Sequence, residues 1–137
     1  MRMQDAIDPL GVFSAMPKAL HSLPLPQRRE RLRRVISSLH RGNTRELPLL
    51  DELLGDAEVV ASYNDSGLKD LILVVKHHRP DLALHLLTHV RAPKERLSLG
   101  NCLAAIWSRI DINAAWKAIT ASSLPEAERL ALRSAMV

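Results

Sequence analysis

The fold of this chain is decided by residues 93–137, which read PKERLSLGNCLAAIWSRIDINAAWKAITASSLPEAERLALRSAMV. Pro93 and Pro125 each suit the first turn of a helix, and Asp111 suits a helix N-cap between them. The stretch therefore predicts three helices joined by two turns. The triplet Glu-Arg-Leu follows both prolines, at residues 95–97 and 128–130, so it recurs after 33 residues. A recurring unit of this length is typical of stacked helical hairpins.

The earlier part of the chain shows the same kind of pattern. Glu-Arg-Leu occurs a third time at residues 30–32. The apolar stripe from Leu32 to Leu39 predicts a helix over residues 26–41, which Gly42 ends. Further stripes of helical spacing follow, and no run alternates with the period of a strand. We therefore predict an all-α fold, a short α-solenoid of about three stacked antiparallel helix pairs.

Domain boundaries and helix caps are also predicted. Residues 1–25, in which Gly11 and Pro17 weaken any helix, are expected to form an N-terminal segment with a short helix or docking arm, and residues 26–137 a helical-repeat domain. Asn43, with Glu46 three residues later, resembles a capping box. Asp56 suits the cap of a short helix.

The apolar pattern predicts which side chains are buried. In the helix after Pro93, Gly100 is expected to permit close approach of another helix. Cys102, the single cysteine, is expected to be a small core residue, and it excludes an internal disulfide. The predicted inward face of this helix consists of Leu99, Leu103, Ile106 and Ile110. That of the last helix consists of Leu130, Ala131, Ser134 and Ala135.

Composition and charge restrict the class of protein. Of the 137 residues, 47% are apolar but only 3% are aromatic, so aliphatic side chains must fill the core. The net charge of +4 is segregated, with +6 over residues 1–45, −6 over 46–66 and +4 over 67–137. Such blocks predict a basic and an acidic face, and they are compatible with a homo-oligomer. The N-terminus has no continuous apolar segment, so we expect no signal peptide, no membrane association and a cytoplasmic location.

Part of the last third of the chain resembles a known class of repeat. Leu99-Gly100 is similar to the Leu-Gly pair of tetratricopeptide repeats. The remaining residues look like one unit of the tandem helical repeats of some large bacterial proteins: Trp107, Asp111, Ala114-Ala115-Trp116, Leu124-Pro125, Arg129 and Ala135. The resemblance is thus to a degenerate bacterial α-helical repeat, HEAT-like or tetratricopeptide-like. It implies a solenoid that binds proteins or peptides along a concave face, and it assigns no individual binding residue.

The strongest functional signal is an arginine run on the first predicted helix. Guanidinium groups suit bidentate contact with carboxylate or phosphate. Three interpretations stay open: a solvated helix face neutralised by the acidic block, a surface for an acidic protein partner, or a nucleic-acid interface. The chain has too few aromatic residues for a base-stacking surface. The candidate partner-binding residues are Arg28, Arg29, Arg31, Arg33, Arg34 and Arg41.

No chemistry of an enzyme is predicted. His85 and His89 lie four residues apart, a spacing that can bind a divalent metal, but no glutamate between them supplies a general base. We expect solvent-facing or interface histidines, no metal and no cofactor. Trp107 and Trp116 are expected in the core, with an exposed peptide-anchoring pair as the alternative. The sequence therefore favours a non-catalytic adaptor or scaffold that binds another protein, with a nucleic-acid-associated protein using the arginine-rich helix 27–41 as the alternative.

Overall fold

The computed structural model describes residues 22–136, and these form an all-α structure without a β-strand. The predicted N-terminal segment of residues 1–25 therefore lies almost entirely outside the described residues. None of the helices in the described range is both long and apolar enough to cross a bilayer. In chain order the helices are α1 (Leu25–His40), α2 (Leu47–Leu54), α3 (Ala57–Ala61), α4 (Asp65–Val75), α5 (Pro80–Leu87), α6 (Pro93–Ala121) and α7 (Glu126–Ala135).

Packing divides the chain into two compact units, with the boundary between Val59 and Val60 inside α3. In the first unit, α1 packs against α2. In the second unit, α4 packs against α5, α5 against α6, and α6 against α7. Extensive contacts are thus made between helices that are neighbours in the chain.

The first unit is built on the predicted stripe of α1. Leu32, Val35 and Leu39 are buried, and Gly42 ends the helix with a φ of +85°. The predicted capping box is wrong, because α2 begins only at Leu47, where a proline in its first turn suits the start of a helix. Asn43 instead accepts a local hydrogen bond from the N–H of Arg45 at 3.0 Å.

The second unit confirms the predicted role of Gly100. A Cβ atom at this position would lie 2.9 Å from Leu132 of α7 and 3.3 Å from Leu87 of α5. Both leucines are fully buried, so there is little room for them to move aside. Glycine at this position therefore allows α5 and α7 to approach α6 closely.

The long helix α6 is two helical segments joined at Asp111. This residue has φ −161° and ψ 93°, which is not helical. Its carboxylate accepts a hydrogen bond from the N–H of Ala114 at 3.1 Å, as an N-cap residue does. The prediction that Asp111 opens a helix is therefore confirmed.

In each unit, a polar side chain in the first turn of a helix bonds a segment that follows about 30 residues later in the sequence. In the first unit, Arg28 bonds Asp56, 28 residues later. In the second unit, Asp65 accepts bonds from the backbone N–H groups of Arg91 and Ala92, 26 and 27 residues later, and Arg96 bonds Glu128, 32 residues later. Of these spans, the 32 residues between Arg96 and Glu128 are close to the 33-residue spacing of the Glu-Arg-Leu triplets, because this pair joins two of those triplets.

Several predictions of burial are wrong. Ile110 is 63% exposed, because it is the last residue before the break at Asp111. Cys102 is exposed, because Leu99, Leu103 and Trp107 define the buried face of α6 at spacings of four.

The last helix is also oriented differently from the prediction. Leu130 is 57% exposed, and the buried residue of α7 is Leu132. Glu128 lies one turn before Leu132 and bonds Arg96 of α6, so the face that α7 turns to α6 carries these two residues.

Candidate protein-interaction surface

The helix α1 and the residue that follows it carry a group of arginines that we call the basic face: Arg29, Arg31, Arg33, Arg34 and Arg41. The helical period places the buried stripe on one side of α1 and leaves the other sides for charge. Arg31 is half-buried and the other four are exposed. The sequence thus places these five guanidinium groups at or near the surface of the first unit.

Arg28, the sixth predicted binding residue, is placed differently. It is only 8% exposed. Its guanidinium bonds Asp56 at 2.6 Å, Glu58, and the backbone carbonyl of Leu23 at 3.0 Å. With its donors committed to these internal acceptors, Arg28 links the start of α1 to the start of α3, and we leave it out of the basic face.

The ion pair with Arg28 favours the charged form of Asp56. Burial alone would raise the pKa of this carboxyl, but hydrogen bonds from Arg28 and from the backbone N–H of Val59 outweigh burial and lower the pKa below its ordinary value. The pKa of Arg28 is raised, mainly by its hydrogen bond to Glu58 and then by that to Asp56. Part of the acidic block thus neutralises part of the arginine run inside the first unit.

One acidic side chain lies within the basic face. Glu30 accepts a bond from Arg33 Nε at 3.0 Å and a longer bond from Arg34 Nε at 3.4 Å. The hydrogen bond from Arg33 is the main reason that the pKa of Glu30 is lowered. Because all three side chains are well exposed, such pairs contribute little to stability. Two arginines share one carboxylate, so a net positive charge remains.

Four of the five arginines of the basic face line an open depression of about 460 Å³. Glu46, just before α2, is an acidic residue on its rim. A ligand in this depression would meet guanidinium groups and hydroxyls, which are donors for carboxylate or phosphate oxygens. The other lining residues are Arg31, Arg33, Arg34, Ser37, Ser38 and Arg41.

Sequence reasoning did not include the two serines or Glu46 in the candidate surface. The signal for the serines is present in the helical period, since Ser37 follows Arg34 by three residues and Ser38 by four. Glu46 carries no such signal, because it belongs to the turn between two helices.

The predicted histidine pair lies at the end of α5. His85 and His89 are both exposed, as expected, and their ring centres are 5.0 Å apart. Within residues 22–136, no cluster of three or more His, Cys, Asp or Glu side chains is arranged to hold a metal.

The two tryptophans have different environments. Trp107 is buried, as predicted, whereas Trp116 is 42% exposed and lies 5.8 Å from the guanidinium carbon of Arg133, a cation–π contact. The prediction of core packing is therefore correct for Trp107 and wrong for Trp116.

No protein-family model matches this chain, and no curated protein or solved structure matches it.

Proposed function

We propose that this protein is a non-catalytic adaptor, a short α-solenoid whose basic face binds an acidic segment of another protein. The observation that carries the proposal is the basic face itself, which places exposed arginines around an open, polar depression. Guanidinium groups on a surface of this kind are suited to carboxylates of a partner.

The solenoid part of the proposal is supported by the pattern of packing. Extensive contacts within each unit involve helices adjacent in the chain, as in repeat proteins. The bond between Arg96 and Glu128 spans 32 residues, close to one repeat.

A non-catalytic role is favoured by the kind of surface and by the sequence. Exposed pairs such as Arg33–Glu30 contribute little to stability, so these arginines can exchange such a pair for contact with a partner at little cost to the fold. The chain contains neither a Gly-rich phosphate-binding loop nor a nucleophile elbow.

The test is a binding titration with a fluorescein-labelled peptide of alternating Glu and Leu, followed by anisotropy at low salt. We expect Arg34→Glu combined with Arg41→Glu to weaken binding by about tenfold or more, since two favourable charge contacts become repulsive. The matched control is Arg109→Glu combined with Lys117→Glu. It makes the same change in net charge at two exposed positions of the second unit.

The outcomes separate the proposal from its alternatives. Loss of binding in the basic-face variant but not in the control supports the adaptor. Equal loss in both variants, or no binding by the native chain, overturns it. A labelled DNA duplex that binds the native chain more tightly than the peptide, with an affinity that falls log-linearly with salt, would establish the nucleic-acid alternative instead.

A further inference from the structure

Four of the side chains that line the depression beside α1 belong to one stripe. Ser37 and Ser38 lie one helical turn after Arg34, and Arg41, the residue that follows α1, lies one turn after the serines. All four line the same open space of about 460 Å³, so their polar ends converge on it. A ligand in this space therefore meets a guanidinium group at either end and two hydroxyls between them.

The donors of this stripe are available to a ligand. Arg34 bonds Glu30 only through Nε, at 3.4 Å, which leaves both terminal nitrogens of its guanidinium group. Within residues 22–136, the side chains of Ser37, Ser38 and Arg41 make no hydrogen bond or ion pair. Binding a ligand in the depression thus requires no internal bond of these three side chains to break.

The arrangement of the donors suits a tetrahedral anion better than a planar one. Arg34 and Arg41 are about 10 Å apart along the helix axis, so their guanidinium groups reach a shared ligand from opposite sides. A carboxylate offers two oxygens in one plane, and a single guanidinium group can occupy both of them. A phosphomonoester offers three oxygens in different directions and carries about −1.5 to −2 charges at neutral pH. It can therefore accept hydrogen bonds from both arginines and from a serine hydroxyl at once.

We propose that the acidic segment bound by the basic face carries a phosphorylated serine or threonine, and that its phosphoryl group lies between Arg34 and Arg41. This inference rests on the proposed adaptor function and names the chemistry of the partner. A nucleic-acid phosphate suits the site less well, because a phosphodiester has only two non-bridging oxygens and a single negative charge.

The test is an anisotropy titration of the full chain with fluorescein-labelled peptides of alternating Glu and Leu. The peptides differ only in the central residue, which is phosphoserine, glutamate or serine. We expect the phosphoserine peptide to bind about tenfold more tightly than the glutamate peptide, since charge-assisted hydrogen bonds are added. The serine peptide should bind no more tightly than the glutamate peptide.

Two double variants locate the phosphoryl group. Arg34→Gln combined with Arg41→Gln should remove the preference for phosphoserine over glutamate. Ser37→Ala combined with Ser38→Ala should reduce this preference by about threefold, because the hydroxyl donors are lost while the positive charge stays. Circular dichroism establishes that each variant is folded.

A single variant should change the affinity in the opposite direction. Glu46 lies on the rim of the depression, where its negative charge opposes a bound anion. Glu46→Gln should therefore bind the phosphoserine peptide about threefold more tightly, a gain that misfolding cannot produce. The matched control is Arg109→Gln combined with Lys117→Gln, which removes two exposed charges of the second unit and should leave the preference unchanged.

The outcomes distinguish this inference from the adaptor function. A preference for phosphoserine that the arginine variant loses and the control keeps supports the inference. Equal binding of the phosphoserine and glutamate peptides would overturn the inference but leave the adaptor function standing, whereas no binding of any peptide would overturn both. A preference that the arginine or the serine variant keeps in full, an equal loss in the control, or weaker binding by Glu46→Gln would also overturn it. Tighter binding of a labelled DNA duplex than of the phosphoserine peptide would assign the basic face to nucleic acid instead.

Discussion

Replacing Glu128 by glutamine removes the charge from a largely buried ion pair of the second unit. Arg96 bonds the two oxygens of Glu128 from two nitrogens, each at 2.6 Å. It also donates to the carbonyl of Val90 at 2.8 Å. Glutamine keeps the size of the side chain but leaves Arg96 without its anionic partner. We expect the free energy of unfolding of the second unit to fall by about 2 kcal/mol.

This magnitude follows from the exposure of the pair. The side chains of Arg96 and Glu128 are 14% and 16% exposed. Removing one partner of a fully buried pair costs about 3–5 kcal/mol, whereas an exposed pair contributes about 0–1 kcal/mol. The Arg96–Glu128 pair retains about one-seventh of its exposure, so the cost of removing Glu128 should lie between these limits. Water that reaches the pair keeps this cost below that of a fully buried pair.

The assay is urea unfolding followed by tryptophan fluorescence. Both tryptophans lie in the second unit, and the buried Trp107 reports its unfolding. The matched control is Glu126→Gln on the same helix. Glu126 is 67% exposed and also bonds arginine, so the cost should be below about 1 kcal/mol.

The effect should depend on pH with a defined sign. The hydrogen bond from Arg96 lowers the pKa of Glu128 in the folded protein, so the pair stabilises the fold above the ordinary carboxyl pKa, and this stabilisation is lost as the pH falls through the lowered pKa. The difference between the native chain and Glu128→Gln should therefore shrink as the pH is lowered below the ordinary pKa of a glutamate. Equal costs for Glu128→Gln and Glu126→Gln at neutral pH, or a difference that does not shrink in acid, would refute the reasoning.

Three further substitutions test other features of the fold. Gly42→Ala should destabilise the first unit by about 1 kcal/mol in a circular-dichroism melt, although no atom lies within 4 Å of the new Cβ, because φ is +85°. Gly100→Ala should also lower the urea midpoint, because the new methyl group would lie too close to Leu132. The double variant Gly100→Ala, Leu132→Ala should lose less stability than the sum of the two single variants, by on the order of 1 kcal/mol. The reason is that the new methyl group fills part of the space that the leucine vacates. Asp65→Asn should lower the urea midpoint at neutral pH. It should make less difference as the pH falls below the ordinary pKa of an aspartate, because two backbone N–H groups lower the pKa of this carboxyl in the folded state.

The sequence predicts the structure correctly where a residue type has one common role in local backbone structure. Asp111 caps a helix and Gly42 ends one, because a short carboxylate and a missing Cβ satisfy those backbone conformations wherever they occur. The stripe of α1 was likewise readable, since apolar and charged residues alternate there with the helical period.

The sequence was insufficient where the outcome depends on another part of the chain. In α7, Leu130 and Leu132 are equally apolar, so the sequence does not show which of them is buried. Leu132 is the buried one, because it shares the face of α7 that carries Glu128, and Glu128 bonds Arg96 of α6. The same applies to the basic face. Nothing in the arginine run distinguishes Arg28 from its neighbours, and its separate role depends on Asp56 and Glu58, which are 28 and 30 residues away.

The short reach of the bonds made by Arg28, Asp65 and Arg96 has a consequence for the kinetics of folding. Closing a loop costs entropy that grows with the logarithm of its length, so partners separated by 26 to 32 residues meet at a moderate and nearly equal cost. Most other contacts lie within helices or between successive helices, so the contact order is low, and helical chains of this kind fold in microseconds to milliseconds. Each unit should therefore complete its folding quickly, before exposed leucines have time to associate with those of another chain.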